Sequence, residues 1–129
     1  MSKTENRLLT PEVLATLAPY PLYSQETANI PDLRALVLFR IGGIRYYICE
    51  GSPEGDTFTL YGLVCGMCDG PELGYFNADE LAGVSVDCAR YGFPGAVYQV
   101  DQEKDFNPSR LADIDEEDVK EFCNRFTSL

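Results

Sequence analysis

The residue pattern predicts an α+β fold: a small, mainly antiparallel sheet of about four to five strands, with a short N-terminal helix and an acidic C-terminal helix packed on it. Three observations predict it. Two runs rich in branched and aromatic residues, ALVLFRI from Ala35 and IRYYICE from Ile44, flank Gly42-Gly43 as the arms of a hairpin do. Thr10-Pro11-Glu12 reads as a helix start, with a capping hydroxyl, a proline at the first helical position and an acid in the first turn. Near the end, Val119, Phe122, Cys123 and Phe126 fall on one helical stripe. A chain of 129 residues that is 45% hydrophobic can bury one core, so residues 1–129 are expected to form a single domain, with 1–7 a loose end and 111–129 the acidic C-terminal helix.

The elements follow in order. Val13, Leu14 and Leu17 give the first helix its apolar face, and Pro19 and Pro21 stop it. Residues 20–32 hold prolines and polar residues and read as an irregular connection. After the hairpin, whose second arm is expected to end at Gly51, the turn signal SPEGD leads into TFTLYGLVCG. There Phe58 and Leu60 alternate with Thr59 and Tyr61, the period of a third strand. A short strand over Leu73 to Phe76 and a brief helix capped by Asn77 come next. Between Val84 and Val100 the period fits either strand or helix until AVYQV, which reads as a strand after Pro94-Gly95; from Asp101 to Arg110 the chain is charged and reads as irregular. Asp113 or Asp115 can cap the last helix, whose Glu117, Asp118 and Glu121 are expected to face solvent.

Composition excludes several function classes. The net charge is −11, and none of the excess lies in residues 1–50, where five acids meet five bases; residues 51–129 carry sixteen acids and five bases. A field of that sign repels phosphates and anionic lipids, so direct nucleic-acid or membrane binding is disfavoured and a basic protein surface is attracted. No run is long and apolar enough for a membrane helix, the start MSKTENR lacks a signal-like apolar core, and the five cysteines are an odd number, all of which point to the cytosol and to free thiols. There is no histidine, which removes the commonest general base and every Ser-His or Cys-His dyad. No phosphate-binding or dinucleotide glycine loop is present.

The motif with a chemical shape is Cys65-Gly66-Met67-Cys68. Two thiolates at that spacing can hold a metal, but a closed zinc site needs four ligands, and Cys88 with Cys49 or Cys123 would have to complete it without a second CxxC. The preferred expectation is free cysteines and no metal or other cofactor. The acidic run Asp115, Glu116, Glu117, Asp118 lacks the glycine and the twelfth-position acid of an EF-hand loop. Tyr46, Tyr47, Tyr61 and Tyr75 are expected to line one sheet face, as interface anchors or as half-buried strand residues.

The segments Leu8-Leu9-Thr10-Pro11-Glu12, Leu22-Tyr23, Gly62-Leu63, Pro71-Glu72-Leu73-Gly74-Tyr75-Phe76, Glu80-Leu81 and Gly92-Phe93-Pro94 resemble, in order and spacing, the bacterial family called domain of unknown function 2958. PELGYF is the specific part. The resemblance implies a small cytosolic bacterial domain of the kind encoded on plasmids, conjugative elements and phages near antirestriction genes, and it brings no catalytic residues. The chain departs from the family after the glycine-proline segment, where Ala96 to Val100 is neutral, and the acidic C-terminal helix looks like an addition.

Charge, missing catalytic groups and resemblance converge on a non-enzymatic interaction protein of a mobile element, of the anti-restriction or anti-CRISPR type. Its expected partner is the basic surface of a nucleic-acid-binding host protein. Candidate contact residues are Glu72, Tyr75, Asp115, Glu116, Glu117, Asp118 and Glu121. Glu72 is placed either to meet that partner or to accept hydrogen bonds from its own turn. The alternatives are a regulatory module stabilised by a metal at Cys65, Cys68 and Cys88, an uncharacterised housekeeping domain, or an enzyme working with carboxylates and tyrosines alone, in a pocket that holds Glu72 or Asp69.

Overall fold

A computed structural model describes residues 6–87, 92 and 97–126. Its first helix, α1 (Pro11–Leu17), is capped as its sequence requires: Thr10 Oγ1 accepts the Val13 N–H at 3.2 Å, and Val13 and Leu17 are buried. The irregular connection that follows contains a 3-10 turn, Ile30–Asp32, and leads into β1 (Arg34–Ala35) and β2 (Val37–Ile41). The Gly42-Gly43 turn sets β2 against β3 (Ile44–Glu54) with Ile41 opposite Ile44, and Gly42 takes the left-handed φ of 56° that the tight turn demands.

β4 (Thr57–Cys65) and β5 (Glu72–Asn77) continue the meander. β3 does not end at Gly51 but runs on to Glu54, with Pro53 opposite Phe58; the turn is made by Gly55, at φ 60°, and Asp56. Proline is tolerated there because β2 pairs with β3 only as far as Ile48, which leaves that side of the strand without a ladder partner for Pro53 to break. Asn77 caps α2 (Ala78–Ala82) by accepting the N–H groups of Asp79 and Glu80. β6 (Ser85–Asp87) and β7 (Val97–Gln99) pair antiparallel, which resolves the ambiguous stretch as far as it is described; Cys88 and the Phe93-Pro94 pair lie outside the described residues.

The charged stretch after Val100 is more regular than its composition suggests. β8 (Asp101–Gln102) adds to β2 opposite Phe39 and Arg40, and β9 (Ser109–Arg110) pairs with β1. Two-residue strands carry no period to read, so their neighbours decide them. Among the described residues the main sheet has the order β5-β4-β3-β2-β8, all antiparallel.

Both faces of that sheet are covered. Phe39, Ile48 and Leu60 pack with Val13 and Leu17 of α1 and Leu81 of α2. On the opposite face Leu38, Tyr47, Leu63 and Cys65 pack with Leu111, Ile114 and α3 (Glu117–Asn124). Alternation along β3 and β4 therefore sends apolar residues both ways, which is why those strands read as nearly continuous apolar runs.

Three further expectations are corrected. The N-cap of α3 is Glu116, without a side-chain capping bond, and residues 111–113 form a 3-10 turn, so the C-terminal helix is shorter than 111–129. Phe126 completes the stripe in sequence but is exposed, in contact with the Phe122 ring at 5.2 Å. Asn6 and Arg7, expected in a loose end, are tied down: Asn6 donates to Ala78 O and Asp79, and Arg7 to Ala82 O and Val100 O.

Candidate functional site

The local feature that builds the site is a β-bulge. Between β3 and β4 the register slips, so that Ile48 faces Gly62 while Glu50 faces Tyr61, leaving Cys49 as the extra residue. Strict alternation would send residue 50 to the α1 side with Tyr46 and Ile48; the bulge returns it to the α3 side. Close strand approach here also explains Gly62, where a Cβ would stand 2.0 Å from the Tyr47 carbonyl oxygen.

The re-aimed Glu50 is 3% exposed. Its two carboxylate oxygens accept the backbone N–H groups of Tyr23 and Gln25, each at 2.8 Å. No cation pairs with it among the described residues. A buried carboxyl group without an ion partner is tolerated only when such bonds replace its lost hydration. To present its N–H, Tyr23 adopts a left-handed φ of 72°, a costly conformation for a residue with a Cβ. The Gln25 side chain ties the same loop down, accepting the Arg34 N–H and donating to the carbonyls of Arg34 and Cys49. Gly51 N–H to Tyr20 O and Leu22 N–H to Ser52 Oγ complete the strap.

A row of side chains crosses three strands from this carboxylate. Glu50 on β3 pairs with Tyr61 on β4, which pairs with Tyr75 on β5. The rings of Tyr61 and Tyr75 lie 4.8 Å apart, and Tyr23 approaches Tyr75 at 6.2 Å. Together with Gln25, Glu26, Ile30 and Leu33 they line a cleft of about 200 Å³. Tyr23 and Tyr75 are more than half exposed. Loss of hydration, then the neighbouring tyrosine and Glu50, raise the Tyr75 phenol above its ordinary range; burial raises that of Tyr61. Both rings are therefore neutral at physiological pH.

The four tyrosines expected on one face are divided. Tyr61 and Tyr75 meet in the cleft, Tyr47 lies deeper on the same side against Phe106, and Tyr46 sits on the opposite face against Phe76. Period 2 assigns this directly, since adjacent residues such as Tyr46 and Tyr47 cannot share a face.

The acidic candidates are treated unequally by the fold. Asp118 and Glu116 both bind Arg45, a residue 8% exposed, whose guanidinium also donates to the Tyr47 hydroxyl at 3.1 Å. Burial opposes the Arg45 charge, but the bonds to Asp118 and Tyr47 outweigh it and its pKa is raised. Asp118 thus turns inward rather than to solvent. Asp115 pairs with Lys120 at 2.8 Å, which holds its carboxyl below the usual range. Glu117 and Glu121 are exposed and make no ion pair among the described residues. Glu72 opens β5, exposed, with no side-chain hydrogen bond from its own turn among the described residues.

The described cysteines, Cys49, Cys65, Cys68 and Cys123, have closed surroundings, apart from Cys68. Cys65 is fully buried beneath α3, Cys68 is exposed, and burial pushes the thiols of Cys49 and Cys65 up to about 12. Such thiols stay protonated, unlike a metal ligand or nucleophile. Among the described residues no three thiol or carboxylate groups converge as a metal site, and no helix is long and apolar enough to cross a membrane.

Reasoning from sequence missed Glu50 and Tyr23. A charged residue closing the apolar run IRYYIC was a signal for the first; nothing local marks the second. No protein-family model matches the chain, and neither a curated protein nor a solved structure matches it.

Proposed function

We propose that the chain is a non-enzymatic interaction protein that docks its acidic surface on the basic, nucleic-acid-binding face of another protein. The observation that carries this reading is how the fold spends its few cations. Arg7, Arg45, Arg110 and Lys120 are engaged in ion pairs within the chain, and the cations left without one among the described residues, Arg34, Arg40, Lys104 and Arg125, are outnumbered by unpaired acids, of which Glu72, Glu117 and Glu121 stand exposed. The negative field is therefore presented outward, where it favours encounter with a basic surface. The lack of histidine and the raised thiol pKa values support binding rather than catalysis. A setting on a mobile element, with anti-restriction or anti-CRISPR action, follows from the resemblance of the LLTPE and PELGYF segments alone.

Affinity capture with the full chain from its bacterial host, followed by mass spectrometry, tests the reading. The expected result is a nucleic-acid-binding partner that DNA or RNA displaces and that salt releases. Affinity should fall by about tenfold or more when ionic strength rises well above the physiological value. Lysine at Glu72, Glu117 and Glu121 should weaken capture further. Asp118 is a poor choice for this test because it holds Arg45 in the fold. A partner indifferent to salt and to those substitutions would overturn the proposal.

A further inference from the structure

The cleft over Glu50 has a chemistry that general acidity does not explain. Exposed carboxylates attract any cation from a distance, whereas this site places aromatic faces beside a carboxylate that is 3% exposed and has no ion partner among the described residues. Tyr75 stands between Tyr23 and Tyr61, with ring planes tilted by 51° and 44°, so the rings open as a wedge rather than stacking flat. Glu26 adds a second carboxylate to the lining, and no basic side chain lines the cleft among the described residues. The loop that carries Tyr23 is held in a strained left-handed conformation by bonds to Glu50, so the wall of the cleft is set before any ligand arrives.

We propose that this cleft seats an organic cation, the ammonium or guanidinium head of a basic side chain on the protein partner, against the tyrosine rings and above the Glu50 carboxylate. The face of each phenol ring carries negative potential, and a cation removed from water gains more from it than one left exposed. A volume of about 200 Å³ accepts one such head group and its last methylenes, and is too small for a nucleotide or a folded element. The inference rests on the proposed function only for the source of the cation.

The test is an NMR titration of the full chain, following the Tyr23 and Gln25 amides and the Tyr61 and Tyr75 rings. Choline and arginine amide are the cationic probes, and 3,3-dimethylbutan-1-ol is the neutral isostere of choline. Both cations should shift those signals saturably, and the alcohol should bind at least about fivefold more weakly, the range expected for one or two cation–π contacts. Tyr75→Phe should keep cation binding, because it keeps the ring face. Tyr75→Leu should lose about fivefold, both for choline and for the captured partner. Equal binding of choline and the alcohol, or no shift with either cation, overturns the inference while leaving salt-sensitive capture of a partner untouched. Cation binding together with unaltered capture by Tyr75→Leu overturns the assignment to a partner side chain. Failure of partner capture with intact choline binding sinks the proposed function and leaves the cation seat standing.

Discussion

Glu50 joins chain geometry to chemistry, since its burial follows from the one-residue slip at Cys49 and its hydrogen bonding from two backbone N–H donors. Glu50→Ala would leave the Tyr23 and Gln25 N–H groups unsatisfied and free the Tyr23 backbone from what holds it left-handed. A loss of about 3 kcal/mol is expected in urea denaturation, with a smaller loss for Glu50→Gln, which keeps one acceptor. The cysteines make a second residue-level prediction. In a Cys88→Ser background a thiol reagent at neutral pH should modify exposed Cys68 promptly and the buried Cys49, Cys65 and Cys123 only on unfolding. Burial raises the Cys49 thiol from its ordinary 9.0 to about 12, so folding favours the protonated form. That contribution is complete below pH 9 and is lost as pH rises through about 12, so the melting temperature should drop across this window. Cys49→Ala, with no proton to lose, should drop less.

At the scale of elements, α3 is held by its apolar face and by one polar clasp. Val119, Phe122 and Cys123 pack on the sheet, and Arg45 reaches from β3 to Glu116 and Asp118 at the start of the helix. The clasp is asymmetric: the Arg45 side chain is 9% exposed, whereas those of Glu116 and Asp118 are 50% and 35% exposed. Water can take over the carboxylates but not the buried guanidinium. Asp118→Asn should therefore cost about 2 to 3 kcal/mol, and Arg45→Met, which fills the space with an apolar stem, only about 1 kcal/mol. Chemical denaturation of the two variants checks the order; the reverse order would show that the guanidinium is better hydrated than its burial indicates. The expected solvent face of α3 was drawn from helical spacing, which places Asp118 on the outer arc but cannot see an arginine more than seventy residues earlier.

For the whole molecule, the sheet separates two cores, and the acidic excess lies outside both. The fold class, the hairpin at Gly42-Gly43, the caps of α1 and α2 and the apolar face of α3 were legible because each depends on residues within a few positions of one another. The pairs β1 with β9 and β2 with β8 were not, because two-residue strands lack a period and exist only where a distant strand offers its edge. Of the candidate site, Tyr61 and Tyr75 were named from sequence, but as members of a larger set spread over both faces. Tyr23 was invisible, because its conformation is imposed by a carboxylate 27 residues away. The sequence by itself determined the sign and regional placement of charge, the absence of histidine chemistry and the local elements, all properties of composition and short range. Only the tertiary structure decided which acids stay free, which are consumed by Arg45 and Lys120, and that three tyrosines meet over a buried Glu50. These depend on strand register, and a slip of one residue at Cys49 changes which side chains share a face.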